Sequence, residues 1–257
     1  MNSIIEWSST EENPVLQSGE IHIWRAFLSV DHEVLRRLES TLVADEKARA
    51  ARFIFDRDRY HFIAARGILR ELLARYISRA PGTIRFVYGP HGKPAVADTD
   101  AKLAVRFNLS HSHGIAVIAI GLGRELGVDV ELLRSDFAGE DIAKRHFSAK
   151  EVHELHRLPP ELRTEGFFIC WTRKEAYIKA RGDGLYVPLD SFSVSLSPDG
   201  PATLSSTDES LWNMESFVPS PVSEPRYVAA VVAEGKNWTS RYFEWRPFRQ
   251  PSLRSEI

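Results

Sequence analysis

The sequence predicts an α+β fold made of two similar halves, each with a long helix packed on a small, mainly antiparallel sheet. One long amphipathic or apolar helical pattern occurs in each half of the 257-residue chain. Each of these patterns is followed by short alternating segments separated by turns that contain glycine or proline, as in hairpins. The hydrophobic fraction of 43% and the charged fraction of 26% are those of an ordinary globular protein with a sizeable core.

The first half is predicted to open with a strand and to centre on one long helix. That helix carries apolar residues at helical spacing from Phe62 to Tyr76 and stops at Pro81-Gly82. In order, we expect a strand at 21–28, a short helix near 33–38, a polar helical stretch near 45–52, the long helix near 59–77, a hairpin of 84–88 and 93–96, and strands at 107–109 and 115–120.

The second half is predicted to repeat this plan. A helical pattern ends at Pro159-Pro160, and Gly182-Asp183-Gly184 caps the next helix. The expected elements are a strand at 126–132, helices at 141–156 and 167–180, a hairpin of 192–196 and 202–205, and a strand at 227–233. The repeat indicates a duplication, to which chance recurrence of helix–hairpin units is the alternative. The expected organisation is a disordered segment at 1–19, an N-terminal half at 20–123, a C-terminal half at 124–246 and a tail at 247–257.

Composition excludes several classes of protein. The single cysteine, Cys170, is incompatible with a disulfide framework or a cysteine-rich zinc site. No apolar run approaches the ~20 residues of a membrane span, and the acidic first 19 residues lack the basic region of a signal peptide. A net charge of −2 gives no electrostatic case for nucleic-acid binding. We therefore expect a cytoplasmic protein that binds neither membranes nor nucleic acids.

Two carboxylates that lie two residues apart define the first candidate site. Val128 and Val130 alternate with Asp129 and Glu131, which predicts a strand with both carboxylates on the face opposite the apolar one. Like charges this close repel each other, so such a pair favours the binding of a cation. Oxygen ligands without cysteine or histidine favour Mg²⁺ or Mn²⁺. The alternative is an ordinary solvated strand face.

A helix with charged residues among apolar ones is the second candidate element. From Phe167 to Ala180 the chain is apolar almost all the way round a helical wheel, which predicts a buried helix. Charges in such a helix are rare unless they are paired, bound to a metal or catalytic. The alternative is a salt bridge between Glu175 and Lys179, which are four residues apart. A third carboxylate beside Lys174 and Lys179 is the pattern of a metal site that faces a phosphate.

These two segments resemble the paired signature of the Sfp-type 4'-phosphopantetheinyl transferases. The matching residues are Gly127-Val128-Asp129-Val130-Glu131 and Trp171-x-x-Lys174-Glu175-Ala176-x-x-Lys179, with Gly92-Lys93-Pro94 and Phe107-Asn108-Leu109-Ser110-His111-Ser112 in the order the family shows. The resemblance runs from about residue 21 to about residue 234. The Trp and Ala variants of the second motif resemble the branch that serves peptide and polyketide synthases rather than the short trimeric enzymes of fatty-acid synthesis. A monomer is therefore expected.

The resemblance implies a reaction, a fold and a metal site. The reaction is transfer of 4'-phosphopantetheine from coenzyme A to a serine of an apo acyl or peptidyl carrier protein, with release of adenosine 3',5'-bisphosphate. The fold is two pseudosymmetric halves with the active site at their interface. Mg²⁺, or alternatively Mn²⁺, is expected on Asp129, Glu131 and Glu175. Glu175 is the expected general base, with Glu131 as the alternative, and Lys179 is the expected catalytic lysine.

Coenzyme A carries a pyrophosphate and a 3'-phosphate, so its site needs several fixed cations. Among the expected contacts, His111 donates to the pyrophosphate and Lys93 lies at the nucleotide end, unless Lys93 is merely a solvated hairpin lysine. Lys47 and Arg52 fit the 3'-phosphate region but also fit a solvated helix face. The residues that the resemblance places against coenzyme A are Lys47, Arg52, Arg66, Lys93, Ser110, His111, Lys174 and Lys179.

Two rival functions and one docking surface complete the expectations. The rivals are a Mg²⁺-dependent hydrolase of nucleotide or coenzyme A pyrophosphate, and a non-catalytic module that binds coenzyme A or a carrier protein. The expected docking surface for an acidic carrier helix contains Phe137, Ile142 and Phe147 beside Lys144 and Arg145. The alternative is that these apolar residues face the core.

Overall fold

We describe the protein from a computed structural model, over residues 5–9, 14–97, 104–134, 139–220 and 226–247. Within these residues the helices are α1 (His32–Ser40), α2 (Ala44–Ala50), α3 (Asp56–Ile77), α4 (Glu140–His146), α5 (Ala149–Arg157) and α6 (Pro160–Arg181). The strands are β1 (Ser8–Ser9), β2 (Glu20–Phe27), β3 (Phe86–Tyr88), β4 (Pro94–Val96), β5 (Val105–Ser112), β6 (Ile115–Leu122), β7 (Leu126–Leu132), β8 (Ser193–Val194), β9 (Leu204–Ser205), β10 (Trp212–Phe217), β11 (Tyr227–Glu234) and β12 (Thr239–Glu244). No helix of these residues is long and apolar enough to cross a membrane.

Two sheets pack face to face between the two long helices. The first sheet has the strand order β1-β12-β2-β6-β5, and the second has the order β10-β11-β7. Ile23, Val117, Val128 and Val231 are fully buried in the layer between the sheets. Because successive strand residues point to opposite faces, the alternate residues of each sheet face a helix instead. The layers therefore run α3, first sheet, second sheet, α6.

The two halves repeat the same arrangement of strands. Strands β5-β6-β2 of the first sheet correspond to β10-β11-β7 of the second, and each half adds a separate two-stranded hairpin. The helices α3 and α6 both have 22 residues. The predicted α+β fold with two pseudosymmetric halves is therefore confirmed.

A buried ion pair also recurs in both halves. Arg70 is the 15th residue of α3, and Lys174 is the 15th residue of α6. Arg70 Nε lies 2.7 Å from Glu46 Oε2, and Lys174 Nζ lies 2.8 Å from Glu151 Oε2. Each cation also donates to two backbone carbonyls that follow its helix. Each long helix is thus attached to the short helix before it in the same way.

Gly127 allows β7 to lie directly on α6. A Cβ atom at this position would stand 2.2 Å from the carbonyl oxygen of Ala176 and 2.3 Å from the amide nitrogen of Ala180. Both neighbours are helix backbone and cannot move aside, so only glycine fits. The close approach brings the carboxylates that follow Gly127 on the strand up to the helix.

Several predicted boundaries were wrong. The helix predicted at 141–156 is two helices, because Phe147 leaves the helical conformation and Ser148 begins a new helix with its own capping box. Pro160 does not end a helix but begins α6, where a missing N–H is harmless. Residues 8–9 form β1, within the segment predicted to be disordered. Strand β12 pairs with β2 although it follows the second half in sequence, and the tail beyond residue 247 lies outside the described residues.

Candidate active site

The site lies where β5, an edge strand of the first sheet, meets β7, an edge strand of the second. Asp129 pairs with Ala230, and Glu131 pairs with Val228, across β7 and β11. Directly opposite residues share a face of the sheet, and these two partners pack against α6. Asp129 and Glu131 therefore face α6, where Glu175 lies. The strand and the helix predicted from separate motifs do meet.

Asp129 is buried, with only 4% of the residue exposed. Its Oδ1 accepts a hydrogen bond from Ser110 Oγ at 2.8 Å and another from Lys179 Nζ at 2.6 Å. Its Oδ2 is buried and has no hydrogen-bond partner. A buried carboxylate oxygen without a donor is costly, so this atom is an open acceptor for a cation.

Burial and neighbouring charge act on the other two carboxylates. Burial first, and then the negative charge of Asp129, raise the pKa of Glu131, while a hydrogen bond from Ser112 opposes the change. Burial and then Asp129 also raise the pKa of Glu175, against the positive charge of Lys179. The three carboxylates therefore lie within electrostatic reach of one another and share one lysine.

This set of donors fits a hard divalent cation. No group of three carboxylate, imidazole or thiol side chains closes into a complete metal site over the described ranges. Magnesium, however, is usually held by one or two carboxylates together with substrate phosphates and water, not by an all-protein cage. The unpartnered Oδ2 of Asp129 and the nearby Glu131 and Glu175 carboxylates supply oxygen donors of the required kind.

The two lysines of the motif have different surroundings. Lys179 reaches the site, with its Nζ 2.6 Å from Asp129 Oδ1 and 29% of its side chain exposed. Lys174 does not, and the expectation that it contacts phosphate is wrong. It is fully buried, and its ammonium binds Glu151 at 2.8 Å and the carbonyls of Leu189 and Phe192 at 2.6 and 2.7 Å. Consecutive helix residues point about 100° apart, which carries Lys174 away from the Glu175 face.

A group of basic side chains surrounds His111. The ring is open to solvent, yet the surrounding protein atoms and then the positive charges of Lys179, His61 and Arg49 lower the pKa of His111. An anion bound among these groups would relieve their repulsion. Sequence reasoning missed Arg49 and His61, because nothing in the linear order places α2 and the start of α3 beside β5.

The remaining predicted cations are divided between exposed and paired ones. Lys47 and Arg52 are exposed. Arg66 Nε is 2.5 Å from Glu46 Oε1, and its guanidinium lies 4.2 Å from the centre of the Phe86 ring. Glu46 already serves Arg70, so Arg66 is held in the first half and not aimed at the carboxylates.

Lys93 lies in a pocket beside the site. Its Nζ donates to Glu125 Oε2 at 2.6 Å and to the carbonyl of Ala180 at 2.8 Å. The pocket has a volume of about 280 Å³ and lies between the β3–β4 turn and the end of α6. Its lining includes His91, Lys93, Asn108, Glu175 and Lys179.

A second pocket lies on the other side of Glu131. It has a volume of about 230 Å³ and is lined by Glu131, Arg134, Ile142, Phe167, Phe168 and Trp171. Glu175 thus lines the pocket that contains Lys93 and Lys179, and Glu131 lines the pocket that contains three aromatic side chains. Of the expected docking residues, Phe147 is 3% exposed and packs in the core, Lys144 and Arg145 are exposed, and Phe137 lies outside the described residues.

Comparison with known proteins identifies the family. The family model described as "4'-phosphopantetheinyl transferase superfamily" matches residues 125–232, and the one described as "4'-phosphopantetheinyl transferase, N-terminal" matches residues 29–121. The chain is 38% identical over 239 residues to the 4'-phosphopantetheinyl transferase HetI of Nostoc sp., covering 93% of this chain and 98% of HetI. The chain belongs to the 4'-phosphopantetheinyl transferase superfamily.

Other members of the superfamily are also similar. The 4'-phosphopantetheinyl transferase Sfp of Bacillus subtilis is 30% identical over 205 residues, covering 79% of this chain and 87% of Sfp. The match to the solved structure of Thermotoga maritima holo-[acyl-carrier-protein] synthase covers 44% of this chain and 63% of that chain, with 23% identity and a TM-score of 0.34. The identity to HetI and Sfp confirms the predicted family, and this protein is a 4'-phosphopantetheinyl transferase.

Proposed function

We propose that this transferase moves 4'-phosphopantetheine from coenzyme A to a serine of an apo acyl or peptidyl carrier protein, in a reaction that requires Mg²⁺ and accepts Mn²⁺. Adenosine 3',5'-bisphosphate is released. The observation that carries the proposal is the unpartnered, buried Oδ2 of Asp129 beside two further carboxylates and Lys179. We further propose a cytoplasmic monomer.

The pockets and charges support a direction for coenzyme A across the site. The pocket with the two cations Lys93 and Lys179 suits the nucleotide end and the pyrophosphate. The basic group at Arg49, His61 and His111 suits a phosphate, and the exposed Lys47 and Arg52 lie on and just beyond the same helix as Arg49. The aromatic pocket beside Glu131 suits the uncharged pantetheine arm.

Asp129, Glu131 and Glu175 are the residues that would hold the divalent cation. When bound, the cation supplies positive charge to the pyrophosphate oxygens. Lys179 supplies a second positive charge from the opposite side of Asp129. Its ammonium is only partly exposed, so it acts in a setting where charge is weakly screened.

The serine oxygen forms a bond to the phosphorus that bears pantetheine, while the bond from that phosphorus to the bridging oxygen of the pyrophosphate breaks. The serine proton goes to Glu175, the expected base, whose raised pKa makes it a stronger base than an exposed carboxylate. Glu131, whose pKa is also raised, is the alternative base. Charge on the leaving bisphosphate is neutralised by Lys179 and by the basic group near His111.

The test is incubation with coenzyme A, Mg²⁺ and an apo carrier protein, followed by intact mass measurement. The expected result is a mass gain of one 4'-phosphopantetheine on the carrier, absent without Mg²⁺. Cleavage of coenzyme A without a carrier would instead support the hydrolase, and no reaction would support a binding module.

A further inference from the structure

Three side chains of β5 hold the edge of β7. Asn108, Ser110 and Ser112 are alternate residues of β5, so they share one face of that strand. Asn108 Oδ1 accepts from the backbone N–H of Val128 at 2.9 Å, and Ser110 Oγ donates to Asp129 Oδ1 at 2.8 Å. No backbone pairing joins β5 to β7 over the described residues. Side-chain hydrogen bonds connect the two strands instead.

Ser112 contacts β7 through both functions of its hydroxyl. Its Oγ accepts from the backbone N–H of Leu132 at 3.3 Å and donates to Glu131 Oε2 at 2.9 Å. The first bond fixes the hydroxyl relative to the strand, and the second fixes the carboxylate relative to the hydroxyl. Ser112 is itself 7% exposed, so water does not readily replace it.

Glu131 needs such a restraint because Asp129 repels it. Both carboxylates point to the same face of β7, and the repulsion by Asp129 acts on Glu131 against the positive charges of Lys179 and Arg134. Without the hydroxyl, rotation of Glu131 toward solvent would lower the repulsion. Ser112 therefore opposes the motion that would disperse the oxygen donors.

We propose that Ser112 is a positioning residue that holds the Glu131 carboxylate ready for the divalent cation. The proposal rests on the proposed function, since it takes the cation site at Asp129, Glu131 and Glu175 as given. Hydrogen bonds to metal-binding carboxylates commonly account for about 10–100-fold in metal affinity. Ser112 itself touches neither the cation nor the reacting atoms in this assignment.

The chain offers a matched control toward the opposite side of the same two sheets. Ser240 Oγ on β12 donates to Glu215 Oε2 on β10 at 2.7 Å. This is also a serine–carboxylate bond between the first and second sheets. Strand β12 is three strand spacings from β5, about 14 Å. Loss of the Ser240–Glu215 hydrogen bond should therefore leave the cation site unchanged.

The experiment is titration of the metal-free protein with Mn²⁺, followed by electron paramagnetic resonance of the free ion, without coenzyme A. Ser112→Ala and Ser112→Cys should each raise the Kd for Mn²⁺ by about tenfold or more, and Ser240→Ala should not change it. Cysteine has a similar volume but is a weak hydrogen-bond donor. The Ser112→Cys variant therefore weakens the hydrogen bond without leaving a cavity. In turnover, the Mg²⁺ concentration for half-maximal rate should rise for both Ser112 variants, while kcat at saturating Mg²⁺ should stay within about threefold.

Three results would overturn the inference, and they are distinguishable. Wild-type Mn²⁺ binding with an unchanged Kd in both Ser112 variants would remove the positioning role but keep the cation site. Absence of Mn²⁺ binding by the wild type, both without coenzyme A and after its addition, would remove the cation site and the inference together. If Ser240→Ala weakened Mn²⁺ binding as much as the Ser112 variants do, the effect would be a general one of sheet packing. That result would also refute the specific role of Ser112.

Discussion

Replacement of Lys174 by methionine distinguishes a structural role of this lysine from a role in phosphate binding. The side chain is fully buried, and its ammonium is bound to the equally buried Glu151 and to the carbonyls of Leu189 and Phe192. Methionine fills similar space but leaves the Glu151 charge without its cation. The substitution therefore tests whether this position of the motif stabilises the fold or binds the ligand.

The expected loss is large. Breaking a buried ion pair by removing one partner costs about 3–5 kcal/mol, against a total unfolding free energy of about 5–15 kcal/mol. For a chain of this size each kcal/mol corresponds to about 2–4 °C in Tm, so Lys174→Met should lower Tm by roughly 6–20 °C. The double variant Glu151→Gln with Lys174→Met should lower Tm by less than Lys174→Met alone, because no uncompensated buried charge remains.

The assay is thermal unfolding followed by circular dichroism, with coenzyme A affinity measured well below the Tm. Lys179→Met is the matched comparison, since it removes the same group from a partly exposed position in the site. It should lower Tm by less than Lys174→Met does, because Lys179 is partly exposed, and it should weaken coenzyme A binding. The reasoning would be refuted if Lys174→Met kept a wild-type Tm and lost coenzyme A affinity as Lys179→Met does.

Three further predictions concern the site. Asp129→Asn should lower kcat by more than about 100-fold, equivalent to about 3 kcal/mol of lost cation stabilisation, and retained turnover at millimolar Mg²⁺ would contradict the cation assignment. Burial and Asp129 raise the pKa of Glu175 above its ordinary value of 4.5, so the folded protein binds this proton more tightly than the unfolded chain. Stability of the metal-free protein should therefore decline as pH rises from about 4.5 through the raised pKa. Chemical denaturation at a series of pH values should show that the unfolding free energy falls less steeply with pH in Glu175→Gln than in the wild type. An identical dependence on pH in both proteins would be inconsistent with a raised pKa of Glu175. Lys47→Ala should weaken coenzyme A binding by about 10–150-fold but leave dephospho-coenzyme A binding unchanged, and calorimetry showing equal losses for both would move Lys47 away from the 3'-phosphate.

The strand carrying the carboxylates was predictable because its pattern is local. Alternation of Val128 and Val130 with Asp129 and Glu131 fixes both the strand and its two faces, and β7 has the predicted bounds. Of the three hydrogen-bonding residues of β5, only Ser110 was assigned a role from the motif. Asn108 and Ser112 belong to the same motif and lie two positions away on the same face, so the alternation pointed to them as well.

Lys174 could not be placed from the sequence, because a helix that is apolar all round has no visible solvent side. Its partner Glu151 is in another helix and is itself buried. The strands β10 and β12 were missed for a related reason. Trp212–Phe217 and Thr239–Glu244 mix polar and apolar residues, and β12 takes its place in the first sheet by pairing with β2, a strand distant in the sequence.

The repeated ion pair identifies equivalent positions in the two halves. Register places Trp24, opposite Ile118, at the position that Asp129 occupies opposite Ala230, and its indole donates to Tyr76. The half that contains the Glu46–Arg70 ion pair thus has an aromatic residue where its counterpart has a carboxylate. Structural equivalence of the halves therefore does not mean chemical equivalence. The second half supplies Asp129, Glu131 and Glu175, whereas the first supplies the hydroxyl groups of β5 and basic side chains at the same interface.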